Sequence, residues 1–161
     1  MIRVAEDYGC DITYAPKPIK GDWNGNGCHT NYSTASIRAE GGLDVCFKHM
    51  EQLKKFHDRH IAVYGQDNDQ RLTGSHETSS MKEFSYGLAH RGASIRIPSS
   101  TKIEKKGYYE DRRPAGNCDP YLVTAMLVDS TCLNGKYGEE IVNAYKNVCK
   151  LVPGFGRDLQ F

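Results

Sequence analysis

Long apolar runs are missing from this chain. No hydrophobic stretch approaches the roughly 20 residues that a helix needs to cross a bilayer, and the opening Met1-Ile2-Arg3-Val4-Ala5-Glu6-Asp7 puts acids where a secretory leader needs an apolar core. Net charge is missing too. The 21 basic and 20 acidic residues nearly cancel, so no global field steers the protein toward nucleic acid or an anionic membrane, and any anion site must be assembled locally. The glycines form neither a Walker loop nor a dinucleotide fingerprint. Ser75-x-Glu77 and Cys28-His29 lack the third member of a nucleophilic relay, and there is no internal repeat or low-complexity tract. The six cysteines, Cys10, Cys28, Cys46, Cys118, Cys132 and Cys149, show neither a close pair nor metal-site spacing. Free thiols in a soluble, intracellular protein are the expectation.

What is present suffices for one domain. A chain of 161 residues, 39% of them hydrophobic, can bury a sizeable core but is too short for several. Met1 to Tyr8 reads as the last turns of a helix closed by Gly9; a chain that opens in the second half of a helix looks like a piece of something longer. Cys10 to Tyr14 alternates as a strand ended by Pro16 and Pro18. Gly21 to Gly27 is turn-rich, and His29 to Ser33 reads as a strand with His29, Asn31 and Ser33 on one face. From Leu43 to His60, the apolar residues Leu43, Cys46, Phe47, Met50, Leu53 and Phe56 recur at helical steps, which predicts one amphipathic helix serving packing.

A loop at 65–70 follows, then a short helix from Ser80, with Glu83 at capping-box spacing, through Ala89. Arg91 to Ile97 alternates again with Ala93, Ile95 and Ile97 on one side. Arg91 could join Arg96 only if the chain bends at Gly92. The Lys102 to Lys106 run reads as solvated. In Tyr108 to Arg112, alternation puts Tyr108, Glu110 and Arg112 on a common face, with Arg113-Pro114 breaking the strand. Asp119 and Pro120 are a good N-cap and first residue for an apolar helix from Tyr121 to Leu133. A weaker amphipathic segment, Ile141 to Cys149, precedes a Gly/Pro-containing tail.

Charged side chains thus gather at the ends or on one face of short extended elements. Arg71, Arg91, Arg96 and Arg112 would be costly to bury together without anionic partners such as phosphates or carboxylates, which guanidinium groups bind well. On the residues alone, four independent surface arginines are the favoured reading. His29 and Glu110 are acceptable ligands for manganese or magnesium, though two ligands leave a site incomplete; a hydrogen-bonded strand histidine is the alternative for His29. His57 and His60 share a helix face but no third ligand follows at useful spacing. His76 and Glu77, as neighbours in an extended element, would point apart and need separate roles.

Four stretches taken together carry a resemblance. Asn24-Gly25-Asn26-Gly27-Cys28-His29-Thr30-Asn31-Tyr32-Ser33-Thr34, Arg71-Leu72-Thr73-Gly74-Ser75-His76-Glu77-Thr78, Arg91-Gly92-Ala93-Ser94-Ile95-Arg96-Ile97-Pro98 and Tyr108-Tyr109-Glu110-Asp111-Arg112-Arg113-Pro114 resemble, in order and spacing, the motifs of eukaryotic-type glutamine synthetases. The Asp119-Pro120-Tyr121 helix start matches as well. The resemblance covers the C-terminal part of that family's catalytic domain and runs to about Leu133. It implies an α+β fold, a curved and largely antiparallel sheet with packed helices, over residues 1–133, followed by a divergent, partly helical segment at 134–161.

The resemblance further implies ATP-dependent ligation of ammonia to L-glutamate through γ-glutamyl phosphate, with Mg2+ or Mn2+ as cofactor and a cytoplasmic setting. His29 and Glu110 correspond to ligands of the metal near the transferred phosphate. Arg71, Arg112, Asn24 and Gly25 correspond to the glutamate pocket. Arg91 corresponds to the group that stabilises the phosphoryl group in flight, and Glu77 to the flap glutamate that closes over the acyl phosphate and helps ammonium become ammonia. Asn31, Ser33 and Arg96 correspond to positions near the nucleotide. In family members the other metal carboxylates lie upstream, and the site forms between subunits. The resemblance therefore implies roughly half of an active site, no activity of this chain alone, and either a homo-oligomer or co-assembly with full-length subunits. Neither nucleic acid nor membrane is an expected partner.

Overall fold

The computed structural model describes residues 1–152; the expected Gly/Pro-containing tail falls outside them. In chain order the elements are α1 (Ile2–Asp7), β1 (Thr30–Tyr32), α2 (Ala35–Arg38), α3 (Gly42–Lys55), α4 (His57–Ile61), β2 (Tyr86–Leu88), β3 (Ile95–Ile97), α5 (Ser99–Glu104), β4 (Tyr109–Asp111), α6 (Pro120–Cys132) and α7 (Gly138–Leu151). The fold is α+β. A four-stranded sheet of order β1-β4-β3-β2 is antiparallel except for its β2–β3 pair, which is parallel. None of the described helices is long and apolar enough to cross a membrane.

Helix starts follow local chemistry. Asp119 Oδ1 accepts from Tyr121 N at 2.8 Å ahead of Pro120, an N-cap worth about 1 kcal/mol. Thr34 caps α2 by accepting from Ile37 N at 3.3 Å. As expected, α1 ends just before Gly9, which takes φ 61°. The predicted helix over 43–60 is broken in two at Phe56; the Phe56 ring lies over Gly135, where a Cβ would collide with it.

The core joins one sheet face to α3 and α6. Ile95, Ile97 and Tyr109 from the strands cluster with Leu43, Cys46, Met50 and Leu53 of α3, Val123, Met126 and Leu127 of α6, and Val142 of α7. Each such fully buried apolar side chain contributes roughly 1.5–3 kcal/mol. Phe47 departs from the expected stripe: it is at the surface, with its ring centroid 6.3 Å from that of Tyr86.

Two predicted elements are not there. Cys10 to Tyr14 forms no strand, and among the described residues none pairs with it. Ser80 to Ala89 forms no helix. Ser80 Oγ accepts from Lys82 N at 3.2 Å, so its capping chemistry closes a turn instead, and Tyr86–Leu88 pairs with Ile95–Ile97. Mutual bonds between Ser85 N and Ser94 Oγ (3.2 Å) and Ser94 N and Ser85 Oγ (3.1 Å) hold the two segments together. Tertiary pairing outweighs local helix preference there. The charged run at 102–106 is exposed, as expected, and its first part lies in α5.

The core also holds a charged network. Asp111 and Arg113 are both fully buried and meet bidentately, Nε to Oδ1 at 2.9 Å and Nη2 to Oδ2 at 2.8 Å. Tyr64 donates to Asp111 Oδ2 at 2.9 Å. Arg113 Nη1 lies 3.1 Å from His57 Nδ1 and Nη2 3.3 Å from His60 Nδ1, while His60 Nε2 reaches Ser130 Oγ at 2.6 Å. Burial works against the Arg113 charge, but the Asp111 carboxylate outweighs it and leaves the pKa above its ordinary value. Burial first, and then Arg113, push the pKa of His57 down and that of His60 well down. His57 and His60 are therefore neutral core acceptors.

These depressed histidines, together with His49 on α3, whose pKa burial also lowers, set an acid limit. The unfolded chain takes up protons below about pH 6.5, which folded His49, His57 and His60 refuse. Stability is therefore complete above that pH and lost as pH falls below it, by up to about 1.4 kcal/mol per pH unit for each excluded proton. Urea midpoints at successive pH values down through this range should fall steadily; a flat series would contradict the neutral assignment.

Candidate active site

Register in the sheet aligns the polar residues. Asn31 of β1 stands opposite Glu110 of β4, which stands opposite Arg96 of β3. Cross-strand neighbours share a face, so this row faces away from the Ile95–Tyr109 side of the core. Alternation continues the row along β4 to Arg112 and along β1 to His29.

Glu110 is the centre. Its Oε1 lies 3.2 Å from His29 Nδ1, and its Oε2 lies 2.8 Å from Arg96 Nε and 3.2 Å from Arg112 Nη1. The Arg96 contact is an ion pair without hydrogen-bond alignment, since that Nε has no hydrogen-bond partner among the described residues. Arg112 Nη1 also lies 3.4 Å from His29 Nδ1, and Arg112 Nη2 donates to the Glu77 carbonyl at 3.2 Å. The His29 pKa is lowered, by burial first and then by Arg112, against the opposing pull of Glu110. A neutral ring keeps a nitrogen lone pair available to a cation.

Arg71 shapes the loop beside this cluster. Its Nη2 donates to the carbonyls of Arg112 (3.0 Å), Arg113 (2.8 Å) and Pro114 (3.0 Å), and its Nε donates to Asn68 Oδ1 at 3.1 Å. Burial, with Arg112 nearby, lowers its pKa to about 10. Arg71 is thus first a clamp on the chain after β4. Its remaining nitrogen, Nη1, faces Gly27, where a Cβ would come within 2.8 Å of it and 3.3 Å of His29 Nε2. The absence of a side chain at Gly27 keeps this space open.

That space is a cavity of about 290 Å³ lined by Asn24, Gly25, Asn26, Gly27, His29, Arg71, His76, Glu77, Thr78 and Arg112. Six of the residues singled out from the sequence, Asn24, Gly25, His29, Arg71, Glu77 and Arg112, therefore converge. His76 and Glu77 are not extended as the sequence reading supposed; both take left-handed backbone, at φ 54° and 59°, which costs roughly 1–2 kcal/mol per residue. They do find separate partners: His76 Nε2 pairs with Asp22 Oδ1 at 2.8 Å and Glu77 Oε1 with Arg91 Nη1 at 3.2 Å. Arg91 sits in the turn before β3 and is largely exposed, so it reaches the cavity through Glu77 and not through Arg96.

Other residues stand apart. Asn31 shares the Glu110 row but is exposed, on a strand whose outer edge is free within the described sheet. Ser33 donates to the Gly107 carbonyl at 2.6 Å, a tie between loops. Among the described residues no group of three His, Cys, Asp or Glu side chains could hold a metal ion, so His29 and Glu110 furnish two donors only. Two features escaped the sequence reading. Arg113, expected only to end a strand, is the buried partner of Asp111; two opposite charges at alternate positions with Tyr109 on the core face were the available signal. Cys28 and Cys118, remote in sequence, come from neighbouring backbone segments, and the Cys118 thiol above all lowers the Cys28 pKa to about 6.

Comparison with known proteins gives a consistent result. The family described as "Glutamine synthetase, catalytic domain" matches residues 1–136. A cytosolic glutamine synthetase isozyme of Pinus sylvestris is 56% identical over 133 residues, covering 83% of this chain and 37% of the pine protein. Glutamine synthetase of Xenopus laevis is 58% identical over 149 residues, 90% of this chain and 38% of that protein. The Saccharomyces cerevisiae enzyme is 57% identical over 130 residues, 81% and 35% respectively. The chain thus spans little more than a third of the length of these relatives.

The Arg71 clamp is testable apart from any reaction. Arg71→Lys keeps the charge but cannot reach three carbonyls and Asn68 from one planar group, and should cost about 2–4 kcal/mol of unfolding free energy in urea. A loss below about 1 kcal/mol would show that the clamp does not hold this loop.

Proposed function

The chain belongs to the glutamine synthetase catalytic-domain family, and on that footing we propose that it carries part of a site joining ammonia to L-glutamate at the expense of ATP, through γ-glutamyl phosphate. The observation that supports this reading most is the meeting of His29, Arg96 and Arg112 on Glu110 beside an open polar cavity. Such a surplus of positive charge around one carboxylate suits anionic substrates.

Within this reading the cavity takes glutamate. Arg112 Nε is buried without a protein partner among the described residues, and Arg71 Nη1 faces the space kept open by Gly27; a substrate carboxylate would satisfy both. Asn24 and Gly25 form its wall. Glu77 and Arg91 stand at the mouth, where Glu77 would close over the acyl phosphate and take a proton from ammonium while Arg91 meets the phosphoryl group. Exclusion of water there protects the acyl phosphate from hydrolysis. Arg96, with Asn31 and Ser33, lies toward the nucleotide.

His29 and Glu110 fit a divalent cation by donor chemistry, a neutral imidazole and a carboxylate, but as two members of a larger set. Bound Mg2+ or Mn2+ would neutralise charge on the transferring phosphoryl group. Among the described residues no further donors complete the set, and we assign glutamate, ammonium and ATP to an assembled enzyme in which other polypeptide supplies them, in the cytoplasm as for the pine isozyme. Assembly with full-length subunits or further copies is favoured by exposed apolar residues, Tyr121 and Val128 on α6 and Leu133 just after it.

Two assays decide the matter. The purified chain, given ATP, glutamate, ammonium and Mg2+ or Mn2+, should form no glutamine above a His29→Ala/Glu110→Ala control; turnover abolished by those substitutions would overturn the partial-site reading. Replacing the matching segment of the pine enzyme with residues 1–133 should give an active chimera, in which either single substitution lowers kcat by about 10²-fold or more. A chimera that folds and assembles but stays inactive, or one indifferent to both substitutions, would refute the proposed roles.

A further inference from the structure

Cys28 and Cys118 come from segments that the backbone holds side by side. Gly27 and Ala115 form an antiparallel bridge, Cys28 N donates to the Pro114 carbonyl at 2.9 Å, and Gly116 N donates to the Asn26 carbonyl at 2.9 Å. The chain then turns, with Cys118 N bonded to the Ala115 carbonyl at 3.1 Å, and this turn brings Cys118 back toward the Cys28 segment. Cys28 is exposed and Cys118 half-buried. The other cysteines have different surroundings: Cys46 is in the core, Cys132 Sγ lies 3.6 Å from Tyr32 Oη, and Cys149 Sγ accepts from Gln66 at 3.4 Å.

We propose that Cys28 and Cys118 form a dithiol modification site at which a hydroperoxide oxidises Cys28 and Cys118 closes a disulfide with it. In the first step the Cys28 sulfur attacks a peroxide oxygen, the O–O bond breaks, a sulfenic acid forms, and water, or an alcohol from an organic hydroperoxide, leaves with the proton. In the second, the Cys118 sulfur attacks the sulfenic sulfur, the S–O bond breaks, the S–S bond forms, and a second water leaves. Two thiols and one hydrogen peroxide become one disulfide and two waters; the two electrons pass from sulfur to peroxide oxygen. Exposure makes Cys28 the sulfur attacked first, and the bridge between the two segments supplies the proximity. The product ties the residue next to His29 to the segment that Arg71 clamps, replacing hydrogen bonds by a covalent link. This inference stands apart from the reaction assigned above.

The test uses the reduced full chain, treated with a small excess of hydrogen peroxide, alkylated with N-ethylmaleimide and mapped as tryptic peptides by mass spectrometry. The expected product is a cross-link between Cys28 and Cys118, with Cys132, which shares the Cys118 peptide, still alkylated. In the folded chain it should exceed the same cross-link formed in concentrated urea by about tenfold. Cys118→Ser should leave a sulfenic acid on Cys28 that dimedone traps, and Cys28→Ser should leave Cys118 free to alkylate. Cys28 still alkylated after peroxide treatment, or cross-links spread among the cysteines as in urea, would overturn the proposal.

Discussion

Strand β4 carries charge to both faces of the sheet, and the arrangement holds because each charge has a partner. Asp111 points into the core, where Arg113 closes on it bidentately and Tyr64 donates to it. Glu110, its neighbour, points the opposite way to His29, Arg96 and Arg112. Removing one partner from a buried pair such as Asp111–Arg113 costs about 3–5 kcal/mol, because the other charge is left alone in the core. Arg112 lies between the two members of that pair in the chain, so the strand end that carries the inner network also carries part of the polar cluster.

Space on the polar side is made by what is left out. Gly25 and Gly27 bring backbone where any side chain would strike Arg71, while Arg71 holds the carbonyls of Arg112, Arg113 and Pro114 in place. A chain with a formal net charge of only +1 thus concentrates His29, Arg96 and Arg112 around one carboxylate, with Arg71 in the wall of the neighbouring cavity. The field is local and points at the cavity. Membership of the glutamine synthetase family supplies a reason for such a concentration, since that chemistry as we read it handles anions throughout.

Much of this was legible before the fold was known. Alternation put Glu110 and Arg112 on one face, and His29 and Asn31 on another strand's matching face; the register then brought the two strands together. Asp119 and Pro120 marked the start of α6 correctly because capping is decided within a few residues. The failures were non-local. The Ser80 hydroxyl and Glu83 have a helix start's spacing, yet Tyr86–Leu88 is claimed by β3 from further along the chain. Cys10 to Tyr14 alternates, yet among the described residues no strand pairs with it. Phe47 keeps helical phase with the core residues and still faces Tyr86 at the surface. Arg113 looked like a strand terminator because the Asp111 that needs it was not recognised as inward-facing, and no spacing rule could bring Cys28 to Cys118.

The central claim is that β4 aims Glu110 at His29 within the arginine cluster, and this is the pair that we propose is offered to a cation. Paramagnetic broadening by excess Mn2+ in the 15N-labelled chain tests it most directly. The account predicts weak, saturable broadening centred on residues flanking His29 and Glu110, lost in Glu110→Ala while the rest of the spectrum keeps its dispersion. Broadening centred elsewhere, or unchanged by that substitution, would contradict it.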